Sequence, residues 1–247
     1  MSDVAYTVGP KGKTPAFFFC DHATNHVPEG LRGLGLSAAQ LNDHIAYDPG
    51  SAALAKALAE AFEARALFCR FSRLVIDPNR GEDRADLIMT SSDTIAIPGN
   101  QNLSVDEKNH RLNQYHRPYH RHLADELDSL TAAHADPFVV SFHSFCQTTR
   151  ARRSPRPWEA GMLWCDDRAS AMAILSHLTA QGVQVGDNQP YSAKLYNYSV
   201  SRHVVPRELR HITLEVRQDM LASPAAILRW RDLLFEPLQT LIRPQNI

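Results

Sequence analysis

Apolar runs about as long as a β-strand recur at residues 16–20, 66–76, 138–142, 161–165 and 212–216. Between them the apolar positions repeat about every three to four residues, the spacing of one helix face. Leu54, Leu58 and Phe62 share such a face within 51–64, and further helices are expected over about 114–133, 169–181 and 224–241. Ser223 before Pro224 marks a helix start, serine as N-cap and proline at the first helical position, and Gly50-Ser51 marks another. Strand-length runs alternating with helical stretches predict an α/β fold, a mixed or largely parallel sheet with helices on its faces.

Two stretches break this alternation. Residues 81–109 carry turn signals at Ser91-Ser92-Asp93 and Pro98-Gly99-Asn100 and have the length of a lid or binding loop. Residues 148–158 are rich in arginine and proline and follow closely on His143. Candidate site residues lie on both sides of each stretch, so a single domain over 1–247 is expected. A hydrophobic content of 44% suffices for a sizeable core. The net charge of −1 sets up no field that recruits nucleic acid or an acidic membrane, although 150–156 is locally basic. The first residues lack a secretion-signal pattern, and no apolar stretch approaches the roughly 20 residues that span a bilayer, so a soluble, cytoplasmic protein is expected. Cys20, Cys69, Cys146 and Cys165 show no CxxC spacing and sit in or beside apolar runs, as small buried thiols do.

In α/β sheets ligands bind at the C-terminal edge of the strands, so polar residues that end an apolar run are the candidates for chemistry. The segment 17–28 runs an apolar strand into a turn holding His22 and His26, and the run from 138 leads into His143. One loop histidine is most simply bonded to backbone. Two strands each delivering an imidazole to one edge are what a mononuclear metal requires. The third ligand stays open: Asp48, just ahead of the helix at 51, is the best carboxylate, with Asn25 and His26 as alternatives, and a helix-capping role suits Asp48 equally. Glu215 interrupts an apolar alternation. It is read either as a general base with a raised pKa or as a strand carboxylate facing solvent or paired with Arg217. The nonapeptide SRLVIDPNR at 72–80 carries Arg73 ahead of its strand-like apolar run and Asn79 and Arg80 in the polar cluster that ends it, and two guanidinium forks suit a carboxylate or a developing oxyanion. The run His110, His116, His120 and His122, interleaved with arginines, is expected on a polar, partly exposed helix face, with His116 as a group behind the site. The set points to a metal-dependent hydrolase acting on a small acidic amide.

These residues resemble the N-formylglutamate amidohydrolase family. The resemblance rests on DHATNHVP at 21–28, YDPGS at 47–51, SRLVIDPNR at 72–80, HRPYH at 116–120, SFHSF at 141–145, NQPYS at 188–192 and TLEVRQDM at 213–220, in the family's order. That family is similar in turn to the zinc carboxypeptidases and aspartoacylase. The resemblance therefore implies a zinc-exopeptidase-like, three-layer α/β/α sandwich around a mixed, largely parallel sheet. It implies one Zn2+ per chain, or another divalent metal, with His22 and His143 as ligands. Where the carboxypeptidase pattern has a glutamate three residues after the first histidine this chain has Asn25, and Asp48 is expected to supply the missing carboxylate. Asn79 and Arg80 match the pair that holds the substrate carboxylate, Arg73 resembles the arginine that polarises the scissile carbonyl, and Glu215 matches the catalytic glutamate. Tyr191, His203 and Arg217 are further candidates for substrate contact.

The implied activity is hydrolysis of a small N-formyl or N-acyl acidic amino acid, with N-formyl-L-glutamate to formate and L-glutamate, a step of amino-acid degradation, in first place. The first motif departs from the deformylases, which look more like Pro-His-x-Gly where this chain has DHATN. A non-catalytic carboxylate-binding protein and a peptidase or amidase for larger acidic peptides are the alternatives. The expected partner is a small acidic amide, with neither nucleic acid nor membrane, for a monomer or homodimer.

Overall fold

A computed structural model describes residues 4–243; residues 1–3 of the N-terminal stretch read above lie outside it. In chain order the elements are β1 (Ala5–Val8), β2 (Ala16–Cys20), α1 (Ala38–Leu41), α2 (Ser51–Phe62) and β3 (Arg65–Cys69). A short hairpin of β4 (Ser91–Ser92) and β5 (Ile95–Ala96) follows, then α3 (Val105–Arg111), α4 (Arg117–Ala133), β6 (Phe138–Phe145) and β7 (Ala160–Leu163). The chain continues through α5 (Arg168–Ala180), β8 (Val185–Asp187), α6 (Tyr198–His203), β9 (Arg210–Arg217) and α7 (Pro224–Ile242).

Seven strands form one sheet in the order β1-β3-β2-β6-β9-β7-β8. The central four, β3, β2, β6 and β9, run parallel. At one edge β1 is antiparallel to β3, and at the other the parallel pair β7 and β8 runs antiparallel to β9. The sheet is thus mixed and largely parallel, as its continuous apolar runs require. In β2, Ala16, Phe18 and Cys20 pack into one core cluster while Phe17 and Phe19 pack into the other. Side chains alternate across a strand, so a run apolar at every position must be covered on both faces. Helices α2, α5 and α7 cover the first face through Leu54, Leu58, Ile174, Leu178, Trp230 and Leu234. Helix α4 covers the second through Tyr119, Leu123 and Leu127. This is the α/β/α sandwich.

Several boundaries differ from the sequence reading. The run 66–76 is not one strand: β3 ends at Cys69, and Ser72 turns the chain by bonding His26 O through its amide (2.7 Å) and Ala46 O through its hydroxyl (2.7 Å). Leu74, Val75 and Ile76 are fully buried without being strand, because an apolar run reports burial and not backbone conformation. The helix expected from about 114 begins at Val105 behind a Ser104–Glu107 capping box, and the π-helical stretch Leu112–His116 joins α3 to α4. Strand β6 reaches Phe145, so His143 sits inside a strand instead of after it.

From β2 the chain passes through α2 to β3 on one side and later returns to β6 on the other side. That reversal opens a crevice at the C-terminal ends of β2 and β6, where α/β sheets place their ligands. All four cysteines are free, and no described helix is long and apolar enough to cross a membrane.

Candidate active site

A cavity of about 230 Å³ opens at this crevice, lined by His22, Asp48, Arg73, Asn79, Arg80, His143, Ser144, Tyr191, Tyr196 and Glu215. His22 stands two residues beyond the end of β2, and His143 is paired in register with Glu215 of β9. Asp48 comes from the loop before α2, tied to the turn after β2 by its amide on His22 O (3.0 Å). The turn into α2 is made at Gly50, whose φ is +82°; a Cβ there would lie 2.4 Å from the Cβ of Leu221. Glycine alone fits that close, left-handed position. Asp48 does not cap α2 with its side chain.

Nδ1 of His22 lies 3.3 Å and Nδ1 of His143 2.8 Å from Asp48 Oδ2. The three ligand atoms lie within 4.8 Å of one another. Behind each imidazole stands a further buried acid. His22 Nε2 is 2.7 Å from Asp77 Oδ1, and His143 Nε2 is 3.6 Å from Asp21 Oδ2, both of the latter atoms lacking any other partner. In the protein alone Nδ1 of His143 donates to Asp48; with a cation between them the outer carboxylates would hold the ring protons on Nε2 and leave both Nδ1 lone pairs facing the ion. Two imidazole nitrogens and a carboxylate converging in a buried space can hold a cation in place of that proton, and imidazole nitrogens with one carboxylate are a zinc donor set. The residues present therefore fit such an ion.

Charge at the site follows from these contacts. Burial disfavours a charged His143, but hydrogen bonding toward Asp21 and Asp48 outweighs it and pushes the pKa up to about 10. Burial likewise opposes ionisation of Asp48 and Asp77; the charge and hydrogen bonds of His22 and His143 keep Asp48 well below the usual carboxylate range, and Arg73 with His22 does the same for Asp77. Glu215 goes the other way, burial pushing it up to about 7 against the pull of His143, with Oε2 left unpartnered.

Arg73 donates from Nη2 to Asp77 Oδ2 at 2.7 Å, and its buried Nε has no partner. Arg80 bonds Asp86 through Nε (2.9 Å) and the Asn79 carbonyl through Nη1 (2.9 Å), so part of its fork is committed within the protein. The Asn79 side-chain oxygen accepts from the Ser199 amide at 3.1 Å. Tyr191 accepts at its hydroxyl from Arg156 at 3.2 Å, which joins the 148–158 stretch to the cavity.

The other expected site residues lie elsewhere. Asn25 bonds Asn42, and exposed His26 lines a separate hollow. His203 is stacked on His120 with ring centroids 5.0 Å apart, and Arg217 is occupied by Asp219 and the Trp158 carbonyl; neither lines the cavity. Within the histidine run His116 and His120 are buried, contrary to the exposed face expected, and His116 Nε2 donates to the Arg80 carbonyl at 2.9 Å. Asp21, Asp77, Ser144 and Tyr196 were not singled out by sequence. The first two had a legible signal, an acid at the very end of an apolar run.

A model of the N-formylglutamate amidohydrolase family matches residues 14–222. No curated protein matches the chain. Among solved structures, a gene product of Agrobacterium tumefaciens is 28% identical with a TM-score of 0.88, the match covering 97% of this chain and 96% of that one. An N-formylglutamate amidohydrolase from Ralstonia eutropha is 20% identical with a TM-score of 0.71 over 98% and 97% of the two chains. A bacteriophage poly-gamma-glutamate hydrolase is 11% identical with a TM-score of 0.50 over 97% and 90%. The last two are likenesses of fold.

Proposed function

The chain belongs to the N-formylglutamate amidohydrolase family, and on that premise we propose that it is a zinc-dependent amidohydrolase for a small N-formyl or N-acyl acidic amino acid, N-formyl-L-glutamate foremost. The observation that carries this reading is one cavity in which a buried glutamate, a His-Asp-His cluster and two arginines meet. His22, Asp48 and His143 are the proposed ligands. An ion held there supplies Lewis acidity, polarising a carbonyl and easing the deprotonation of water.

The remaining chemistry belongs to side chains. Glu215 takes a proton from the attacking water and returns it to the departing amine; a carboxyl pKa of about 7 suits both transfers near neutral pH. Arg73, pinned by Asp77, offers its guanidinium to the oxygen that gains charge. Losing such a preorganised donor costs about 3 to 4 kcal/mol in the barrier. Asn79 and Arg80 hold the acidic end of the substrate, with Ser199 and Asp86 setting their side chains.

Tag-free protein is expected to carry near one zinc per chain by elemental analysis and to release formate from N-formyl-L-glutamate. His143→Ala loses the metal. Glu215→Gln keeps it while kcat falls by about 10²- to 10⁴-fold. Protein that takes up no zinc and releases no formate overturns the proposal.

A further inference from the structure

Beyond Asn79 and Arg80 lies a second hollow of about 200 Å³, which shares those two residues with the first cavity and is walled also by Gly81, Arg84, Lys194 and Asn197. Its charge is one-sided. Arg80 and Arg84 divide a single carboxylate, Asp86, each with Nε 2.9 Å from one of its oxygens. Lys194 forms no ion pair among the described residues and lies 5.7 Å from the Trp164 ring centroid. Behind Tyr198, Arg202 donates to its hydroxyl and faces Glu82, which Arg117 also pairs, and Asp83 stands beside Gly81. The three cations that line it, Arg80, Arg84 and Lys194, thus face two carboxylates.

A second observation is independent of charge. Asn197 is 3% exposed and donates from Nδ2 to Thr213 Oγ1 at 2.9 Å, yet its Oδ1 is buried with no donor. A buried acceptor left open is a cost that a ligand N–H relieves. At the rim Leu195 is 68% and Tyr196 41% exposed, apolar surface on which methylene groups can lie. Surplus positive charge and an open acceptor, next to the residues that hold one acidic group, describe a second acidic residue joined through an amide.

We propose that this hollow is a second acidic subsite, so that the substrate is an N-acylated dipeptide of acidic residues. The proposal rests on the first cavity being the amide-cleaving site. It makes Arg84 and Lys194 determinants of substrate length, attracting the distal carboxylates, while the Asn197 oxygen accepts the linking N–H.

The test compares N-formyl-L-glutamyl-L-glutamate with N-formyl-L-glutamyl-L-glutamine amide, which lacks both distal charges. Each is titrated calorimetrically into zinc-supplied Glu215→Gln protein, where hydrolysis is suppressed. The acidic ligand is expected to bind about fivefold tighter, a preference that shrinks with salt and falls to within about twofold in the added Arg84→Ala/Lys194→Ala pair. Equal affinities, no binding of either ligand, or a preference that survives the double substitution would overturn the subsite. Formate release by the unsubstituted enzyme, from N-formyl-L-glutamate and from N-formyl-L-glutamyl-L-glutamate, is scored separately. An acid preference without any release sinks the amidohydrolase reading and leaves the subsite standing.

Discussion

Each imidazole at the site is held from behind by a buried acid, His22 by Asp77 and His143 by Asp21. Asp21 is itself set by two donors on Oδ1, the Tyr119 hydroxyl at 2.6 Å and the Ser199 hydroxyl at 2.9 Å. With a cation bound, these carboxylates would hold the ring protons on Nε2 and make Nδ1 the better ligand. Asp21→Asn keeps the shape and removes the charge, so zinc affinity is expected to fall about 10- to 100-fold while the fold is retained. Competition with a chromophoric chelator measures it, and an unchanged affinity would show that Asp21 has no such role. In the sequence Asp21 directly precedes His22, and neighbours on a strand face opposite ways. Both reach the site because β2 has already ended at Cys20, which residue types alone do not reveal.

At the scale of elements, the π-helical turn before α4 carries the least expected packing. It delivers His116 to the Arg80 carbonyl, and one turn on His120 Nδ1 lies 2.9 Å from His203 Nε2 of α6. Burial lowers the pKa of all three; for His203, with Arg202 and Arg207 adding to it, the value is about 4 against an ordinary 6.5. The folded protein thus binds fewer protons than the unfolded chain in that interval. The His203 contribution is fully present above pH 6.5 and is lost as pH falls toward 4, worth roughly 2 kcal/mol after solvent screening. Denaturation followed from pH 7 to 4 is expected to show a steeper loss in the natural protein than in His203→Gln. Parallel curves would rule out this source of acid sensitivity. Apolar periodicity placed α2, α5 and α7 to within two or three residues, since each buries one face against the sheet. It misjudged 66–76 and the start of α3 because a buried turn and a polar helix carry no such stripe.

For the whole molecule, the topology decides where chemistry is possible. Residues 22, 48, 143 and 215 come from the turn after β2, the loop before α2, β6 and β9, and meet where the sheet order reverses. An ion held by His22, Asp48 and His143 would tie the two central strands β2 and β6 to the α2 layer. Zinc at a hundred times its dissociation constant is expected to stabilise the protein by about 2.7 kcal/mol. For a chain of this length that raises Tm by roughly 5 to 10 °C. Differential scanning with and without a chelator checks this, and a zinc-dependent shift that persists in His143→Ala would place the metal elsewhere. The amino-acid sequence alone determined the α/β class, the central apolar runs, and His22, His143 and Glu215 as polar residues that end or interrupt those runs, because local periodicity and residue chemistry encode burial directly. Only the tertiary structure brought Asp48 rather than Asn25 to the histidines, set Asp21 and Asp77 behind them, and carried His203 and Arg217 away. Those outcomes depend on which strands become neighbours and where each one ends, and such long-range pairings are written in no single segment.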